Sequence, residues 1–175
     1  MRGYFAIGVE GLSKALNAAN LFRTAHAFGA RFVFTVGATL TAREAMLDTS
    51  RTIESVPYYP WQSVDDMQLP KGCALVGVEL LDSATELPSF HHPRAAAYVL
   101  GAERGTLSPA MLARAAHVVR IPTSFCVNVA VAGAIVMYDR LLSQARFAER
   151  PFLPGGGGTR RARPAFGRPI KRRKD

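Results

Sequence analysis

Three short stretches carry side chains whose types and spacing could do chemistry. Gly101-Ala102-Glu103-Arg104-Gly105 directly follows an apolar run. Glycines there let backbone N–H groups approach a ligand, and Glu103 offers an acceptor or a base. Taken alone, Gly-x-Glu-x-Gly is more commonly a plain β-turn with a solvated glutamate. The second stretch, NAANLFR, runs from Asn17 to Arg23. Six residues of helix turn through about 600°, so the two side chains lie roughly 120° off a common face. Asn17 is then an orienting residue, while Arg23 reaches from the helix flank toward an anion; a surface salt bridge is the competing reading for Arg23. The third stretch, IPTSFCVNVAVAGAIVMYD, places Asn128 near the start of an otherwise apolar helix. A buried amide there must find partners or cost about 1–3 kcal/mol. Ala130, Ala132, Gly133 and Ala134 allow another backbone to come close, which suits a tight helix–helix interface, a dimer interface included.

Such loops need strands to carry them. Tyr4 to Val9 is a short apolar run ended by Glu10-Gly11 and predicts a buried strand. A helix follows, with Ser13 and Asn17 as candidate caps, Leu21, Phe22, Ala25 and Phe28 on one face, and Gly29 closing it. Arg31 to Val36 is β-rich, which completes a β-α-β unit. Between residues 37 and 72 the pattern allows a helix over Ala42 to Leu47, an edge strand over Val56 to Tyr59 and a helical turn over Val64 to Met67. Cys73 to Val78 and Ala96 to Leu100 are strands, and Leu80 to Pro93 reads as a loop with one turn of helix. Ser108 at the N-cap and Pro109 at N1 begin a helix running to about Ala116. His117 to Ile121 is the last strand, and Cys126 to about Arg146 the closing helix. Strands that alternate with helices and read as solid apolar runs predict an α/β fold: a mainly parallel sheet with helices on both faces.

The chain has 175 residues, 49% of them hydrophobic and 20% charged, which fits one globular domain with a real core and excludes a wholly disordered chain. Its net charge of +9 is concentrated at one end. Arg160, Arg161, Arg163, Arg168, Lys171, Arg172, Arg173 and Lys174, against Asp175 alone, put +7 into residues 155–175 and leave +2 for the rest. A Gly-rich hinge with a basic run is a flexible cationic arm suited to nucleic acid phosphates; a purely solubilising tail is the bland alternative. Residues 1–150 are thus expected to form one domain and 151–175 a flexible Gly/Arg/Lys-rich tail. Cys73 and Cys126, both in apolar sequence, fit a reduced, cytoplasmic protein. The first residues lack the apolar core of a secretory signal, and the most apolar helix is too short for a membrane span, so no membrane partner is expected. His26, His91, His92 and His117 show no zinc-like spacing, so no metal is expected. Triphosphate P-loop, nucleophile-elbow and dinucleotide fingerprints are also absent.

In this order, the three stretches resemble the three motifs of the SpoU/TrmH branch of the SPOUT RNA methyltransferases: Asn17-x5-Arg23 followed by TAHAFGA, then YVLGAERGTLS, then IPTSFCVNVAVAGAIVMYD. The resemblance covers about residues 3 to 146. It implies a deep C-terminal trefoil knot, S-adenosylmethionine as methyl donor, and a ribose 2′-hydroxyl of tRNA or rRNA as acceptor. It also implies a homodimer whose active site borrows residues from both chains. By position, Leu100, Gly101, Glu103, Gly105, Ile121, Cys126 and Val127 would line the donor pocket, largely through backbone groups. Glu103 and Asn128 would order the catalytic centre and Asn17 would brace the first motif. Arg23 would stand nearest the attacking oxygen and, with Arg160, Arg161, Arg163, Lys171, Arg172, Arg173 and Lys174, would contact RNA. Many relatives carry a serine where this chain has Cys126, a weaker hydrogen-bond donor, and the segment from Ile121 to Asn128 looks shorter than in some of them. A catalytically silent RNA-binding or assembly module on the same fold is the competing reading.

Overall fold

The computed structural model describes residues 3–39, 55–101, 105–145 and 147. The predicted helix over Ala42–Leu47, together with Glu103, Arg146 and the whole basic tail, lies outside them. The apolar runs form parallel strands: β1 (Tyr4–Glu10), β2 (Phe32–Val36), β3 (Tyr58–Trp61), β4 (Ala74–Val78), β5 (Thr85–Glu86), β6 (Ala95–Leu100) and β7 (His117–Arg120). Their order across the sheet is β3-β2-β1-β6-β4-β7-β5, and every pairing is parallel. The expectation for Leu80–Pro93 missed β5, which precedes a single 3-10 turn at Leu87–Ser89. Pro60 lies inside β3 rather than ending it. That is tolerated because β3 pairs only with β2, at the sheet edge, where a missing N–H breaks no second ladder.

Three helices complete the described fold: α1 (Ala15–Ala27), α2 (Pro109–Arg114) and α3 (Val129–Gln144). Ser13 and Asn17 do not cap α1. Lys14 occupies that position with no side-chain cap bond, and Asn17 falls inside the first turn. Ser108 does cap α2, its hydroxyl accepting the Met111 N–H at 3.1 Å. Helix α3 begins three residues later than Cys126, because Asn128 is its cap: the amide oxygen accepts the Ala130 N–H at 2.9 Å.

The sheet is covered on both faces. On one, Leu21, Phe22 and Ala25 of α1 and Val136 and Met137 of α3 pack over Ile7, Val76 and Tyr98. On the other, Met111 of α2 and Met67 pack over Ala6, Phe34, Ala97 and Val99. Gly133 sets the spacing of α1 and α3, since a Cβ there would come within 2.3 Å of Leu21 Cδ1. The small residues of α3 therefore serve close packing within the chain.

At the amino-terminal ends of the strands, a buried polar cluster ties α3 to the sheet. Arg140, 4% exposed, donates to the carbonyls of Pro93, Arg94 and Tyr4 at 2.7, 2.9 and 3.2 Å and to the Tyr98 hydroxyl at 3.1 Å. His92 lies 2.5 Å from the Tyr98 hydroxyl through Nδ1 and 2.9 Å from Asp139 through Nε2. Burial pushes the His92 imidazole below its ordinary range, against the opposing pull of Asp139. The charged cation in this cluster is Arg140; with His92 neutral, its Nε2–H donates to the Asp139 carboxylate and its Nδ1 accepts a hydrogen bond from the Tyr98 hydroxyl.

Candidate functional site

The opposite, carboxyl-terminal ends of the strands carry the loops singled out by the sequence. In an open α/β sheet this is where ligand loops gather, above all where the strand order reverses. The order reverses at β1 and β6: β2 and β3 extend to one side of β1, whereas β6, β4 and β7 lie on the other.

Two of the three stretches meet through a direct bond. Asn128 Nδ2 donates to Asn17 Oδ1 at 3.0 Å, across 111 positions of chain. Asn17 is buried on α1, so its oxygen is fixed by packing. Asn128 itself is exposed, contrary to its expectation as a buried amide, yet both ends of its side chain are engaged: the oxygen caps α3 and the nitrogen reaches α1. Arg23 sits six residues further along α1 and faces solvent, and among the described residues nothing hydrogen-bonds or pairs with its guanidinium. It is therefore not joined to the Asn17–Asn128 pair, in keeping with the angular offset.

The remaining pocket candidates surround the third loop. Leu100 is buried at the end of β6. Gly101 follows in a tight place, where a Cβ would lie 3.1 Å from the Gly105 carbonyl, 3.2 Å from Glu79 Oε2 and 3.3 Å from the Leu107 nitrogen, so that a side chain would require these neighbours to give way by a few tenths of an ångström. Gly105 stands in open space. Ile121 is buried after β7 and Val127 is half-buried against the α1–α3 side of the core, whereas Cys126 is exposed rather than set in apolar surroundings. Cys73, the other thiol, is half-buried, and burial pushes it up. The turn between Ile121 and Phe125 is closed by Thr123, whose N–H and hydroxyl reach the Ile121 and Phe125 carbonyls at 2.8 and 2.9 Å.

Sequence reasoning missed Glu10 and Glu79. Glu10 accepts from the Ser108 N–H at 2.8 Å and from its hydroxyl at 2.6 Å. Glu79 accepts from the N–H groups of Leu107 and Leu80 at 2.8 and 2.9 Å. The one available signal was the repeated Gly-Val-Glu that ends both apolar runs. Two clefts flank this region. One of about 900 Å³ opens between Glu10, Lys14, Gly37, Gln62, Gly105 and Ser108. A second, of about 440 Å³, lies among Leu80, Asp82, Glu86, Arg120, Ile121 and Thr123. Beside it, Arg120 donates to Glu86 at 3.0 Å while its Nε is buried with no partner among the described residues.

Such an arrangement offers backbone groups at Gly101 and Gly105, two oriented amides and, among the described residues, an unpaired guanidinium at Arg23. It can bind an extended polar cofactor and an anionic substrate. Among the described residues, no group of three or more His, Cys, Asp or Glu could hold a metal ion, and no helix is long and apolar enough to cross a membrane.

Comparison with known proteins gives a family match over residues 4–138, to the SpoU rRNA methylase family. No curated protein matches the sequence. Among solved structures, the AdoMet-bound rRNA methyltransferase from Sinorhizobium meliloti superposes with a TM-score of 0.73 at 19% identity, over 83% of this chain and 59% of that one. The SpoU methyltransferase AviRb from Streptomyces viridochromogenes gives 0.71 at 16% identity, over 82% and 61%. A structure described as giving insight into the 2-OH methylation of C/U34 on tRNA gives 0.66 at 22% identity, over 81% and 91%. At these identities the likeness is one of fold. The chain spans about three fifths of the length of the first two.

Proposed function

The chain belongs to the SpoU rRNA methylase family, and from that premise we propose that it is an S-adenosylmethionine-dependent RNA methyltransferase acting on a ribose 2′-hydroxyl of tRNA or rRNA. The observation that carries the reading is the Asn128–Asn17 hydrogen bond, which joins the first and third motifs at the strand ends from which the second motif leaves.

Leu100, Gly101, Gly105, Ile121, Cys126 and Val127 would hold the donor, with Glu103, outside the described residues, completing the set. Their fit rests on two features: the close packing around Gly101, where a Cβ would meet neighbours at 3.1–3.3 Å, and the cleft beside Ile121, where Arg120 Nε lacks a partner among the described residues. The bound donor supplies a sulfonium methyl for in-line displacement, and positioning of the two reactants provides most of the rate. Asn17 and Asn128 orient the site. Arg23 stays charged, since a guanidinium is not deprotonated in proteins. It holds the adjacent phosphate and stabilises the developing alkoxide, while a phosphate oxygen or water takes the proton.

The enzyme is a homodimer in this proposal. Val131, Tyr138 and Leu142 are exposed along α3 at spacings of seven and four residues, a single helical face. Leu16, 73% exposed, and Phe125, 76% exposed, are further apolar side chains left in solvent. Arg23 shares the exposed stripe of α1 with Leu16 and Asn20, which favours a guanidinium delivered across the interface. A trefoil knot is part of the same reading. It is supported by the insertion of β6 between β1 and β4 and of β7 between β4 and β5, each beside strands earlier in the chain. Residues 1–150 are the catalytic domain, and the basic arm of 151–175 holds RNA in the cytoplasm, where tRNA and rRNA work.

The test is methyl transfer from labelled S-adenosylmethionine to cellular RNA, with mapping of the 2′-O-methyl position. Arg23→Ala is expected to lose transfer by about 10²–10³-fold while donor affinity by calorimetry is kept. Loss of donor affinity instead would remove the assigned role. A natural chain that binds RNA but no donor would point to the silent module. Removing residues 155–175 weakens RNA binding and flattens its salt dependence; unchanged binding would make the arm merely solubilising.

A further inference from the structure

Strand register places two carboxylates on either side of one residue. Val9 of β1 and Val78 of β4 both pair with Leu100, the last residue of β6. The next residue along each flanking chain segment is a glutamate, Glu10 at the end of β1 and Glu79 just past β4, and the residue that follows β6 is Gly101. The repeated Gly-Val-Glu therefore sets a negative side chain on each side of the loop that leaves β6. Both carboxylates are spent on the segment that returns. Glu79 Oε2 takes the Leu107 N–H at 2.8 Å, and its Oε1 takes its own neighbour Leu80 N–H at 2.9 Å. Glu10 takes the Ser108 N–H and hydroxyl with its two oxygens, at 2.8 and 2.6 Å. Consecutive amides, 107 and 108, are thus gripped from opposite sides by charged acceptors, the stronger class of protein hydrogen bond. The same Ser108 hydroxyl caps α2, so the grip continues into the helix behind the loop.

We infer that Glu10 and Glu79 are positioning residues for the methyl donor: a two-sided clamp that fixes where Gly101 and Gly105 present their backbone. This rests on the donor-pocket reading above. Each of the four carboxylate oxygens already accepts a backbone or hydroxyl hydrogen bond from the chain itself. Their action is on loop geometry. Glutamine at either position keeps the size of the side chain but puts an NH₂ donor where a second acceptor is needed, so one bond of each clamp is lost.

Glu10→Gln and Glu79→Gln, made separately in the full chain, are measured for donor affinity by calorimetry, for steady-state methyl transfer, and for amide exchange at Leu107 and Ser108. Expected are a rise of about tenfold in Kd and KM for S-adenosylmethionine, a kcat at saturating donor within about twofold of the natural chain, and faster exchange at those two amides. Ser108→Ala, which removes only the hydroxyl partner of Glu10, gives a smaller rise of the same kind and carries the test if a glutamate variant fails to fold. Folded variants with unchanged Kd, or with a reduced kcat and unchanged KM, overturn the clamp. If the natural chain binds no donor, the donor-pocket reading fails and the clamp with it. Donor binding by the natural chain and by both variants alike defeats the clamp alone.

Discussion

The two ends of the sheet solve the problem of buried polarity in opposite ways. At the amino-terminal end, one guanidinium and one imidazole are enclosed, and their bonds close on carbonyls, a phenol and Asp139. Both nitrogens of His92 and the terminal nitrogens of Arg140 are thus used within the chain. At the carboxyl-terminal end, the acceptors Glu10, Glu79 and Asn17 are satisfied by loop amides, a hydroxyl and an amide side chain. The clefts there stay open, and the cation Arg23, further along α1, stays in solvent. The lesson is that the sheet is anchored at one end so that loops can be held, rather than filled, at the other. Helix α3 connects the two, with Asn128 at its start and Arg140 three turns on.

The comparison breaks most sharply at Arg140. Arg140→Met leaves the carbonyls of Tyr4, Pro93 and Arg94 without this donor, and at about 1–3 kcal/mol for each buried polar group left unsatisfied it is expected to give the largest loss in denaturant unfolding. A cost below 1 kcal/mol would mean that water replaces the guanidinium and that this end is no anchor. Midway along α3, Gly133→Val forces Leu21 out of its rotamer and should cost about 1–3 kcal/mol, with donor affinity of the folded fraction retained. At the site end, Asn128→Ala removes the cap of α3 and the donor to Asn17; stability should fall by about 1 kcal/mol. Methyl transfer should fall by more than that loss accounts for, and equal losses would make the asparagine purely structural. The smallest effect is in pH. His92 is held neutral by burial, with Asp139, Tyr98 and Arg140 facing it, while in the unfolded chain it takes up a proton near pH 6.5. The unfolded state thus binds more protons between the depressed pKa and about 6.5, so stability is retained above that range and declines on acidification through it. Thermal melts of His92→Asn should show a shallower acid slope; an identical slope would assign it to other groups.

Much of this architecture was legible in the sequence, for reasons that particular residues show. The runs YFAIGV, CALVGV and AAYVL are apolar at consecutive positions because their strands are covered on both faces, and each is a strand within a residue or two of expectation. Ser108-Pro109 marked the start of α2 because capping is local chemistry. Strand order was not legible, since nothing in β6 says that it belongs between β1 and β4. Glu10 and Glu79 read as ordinary strand-ending carboxylates because their partners lie 98 and 28 residues away. The Arg140 cluster was hidden likewise: an arginine in an apolar helix looks like a snorkelling surface residue until the carbonyls it serves are brought to it.

The central position of β6 also governs the order in which the chain can acquire its structure. Tyr4 pairs with Ala95 and Val9 with Leu100, so the middle of the sheet cannot form until a chain of this length has emerged and closed a long loop. The local β1–α1–β2 unit can assemble early, but it presents an open β1 edge until β6 arrives. Long-range parallel pairing of this kind is slow, and it leaves strand edges exposed to wrong partners while it waits. The strand that carries the second motif is thus also the one whose arrival closes the middle of the sheet.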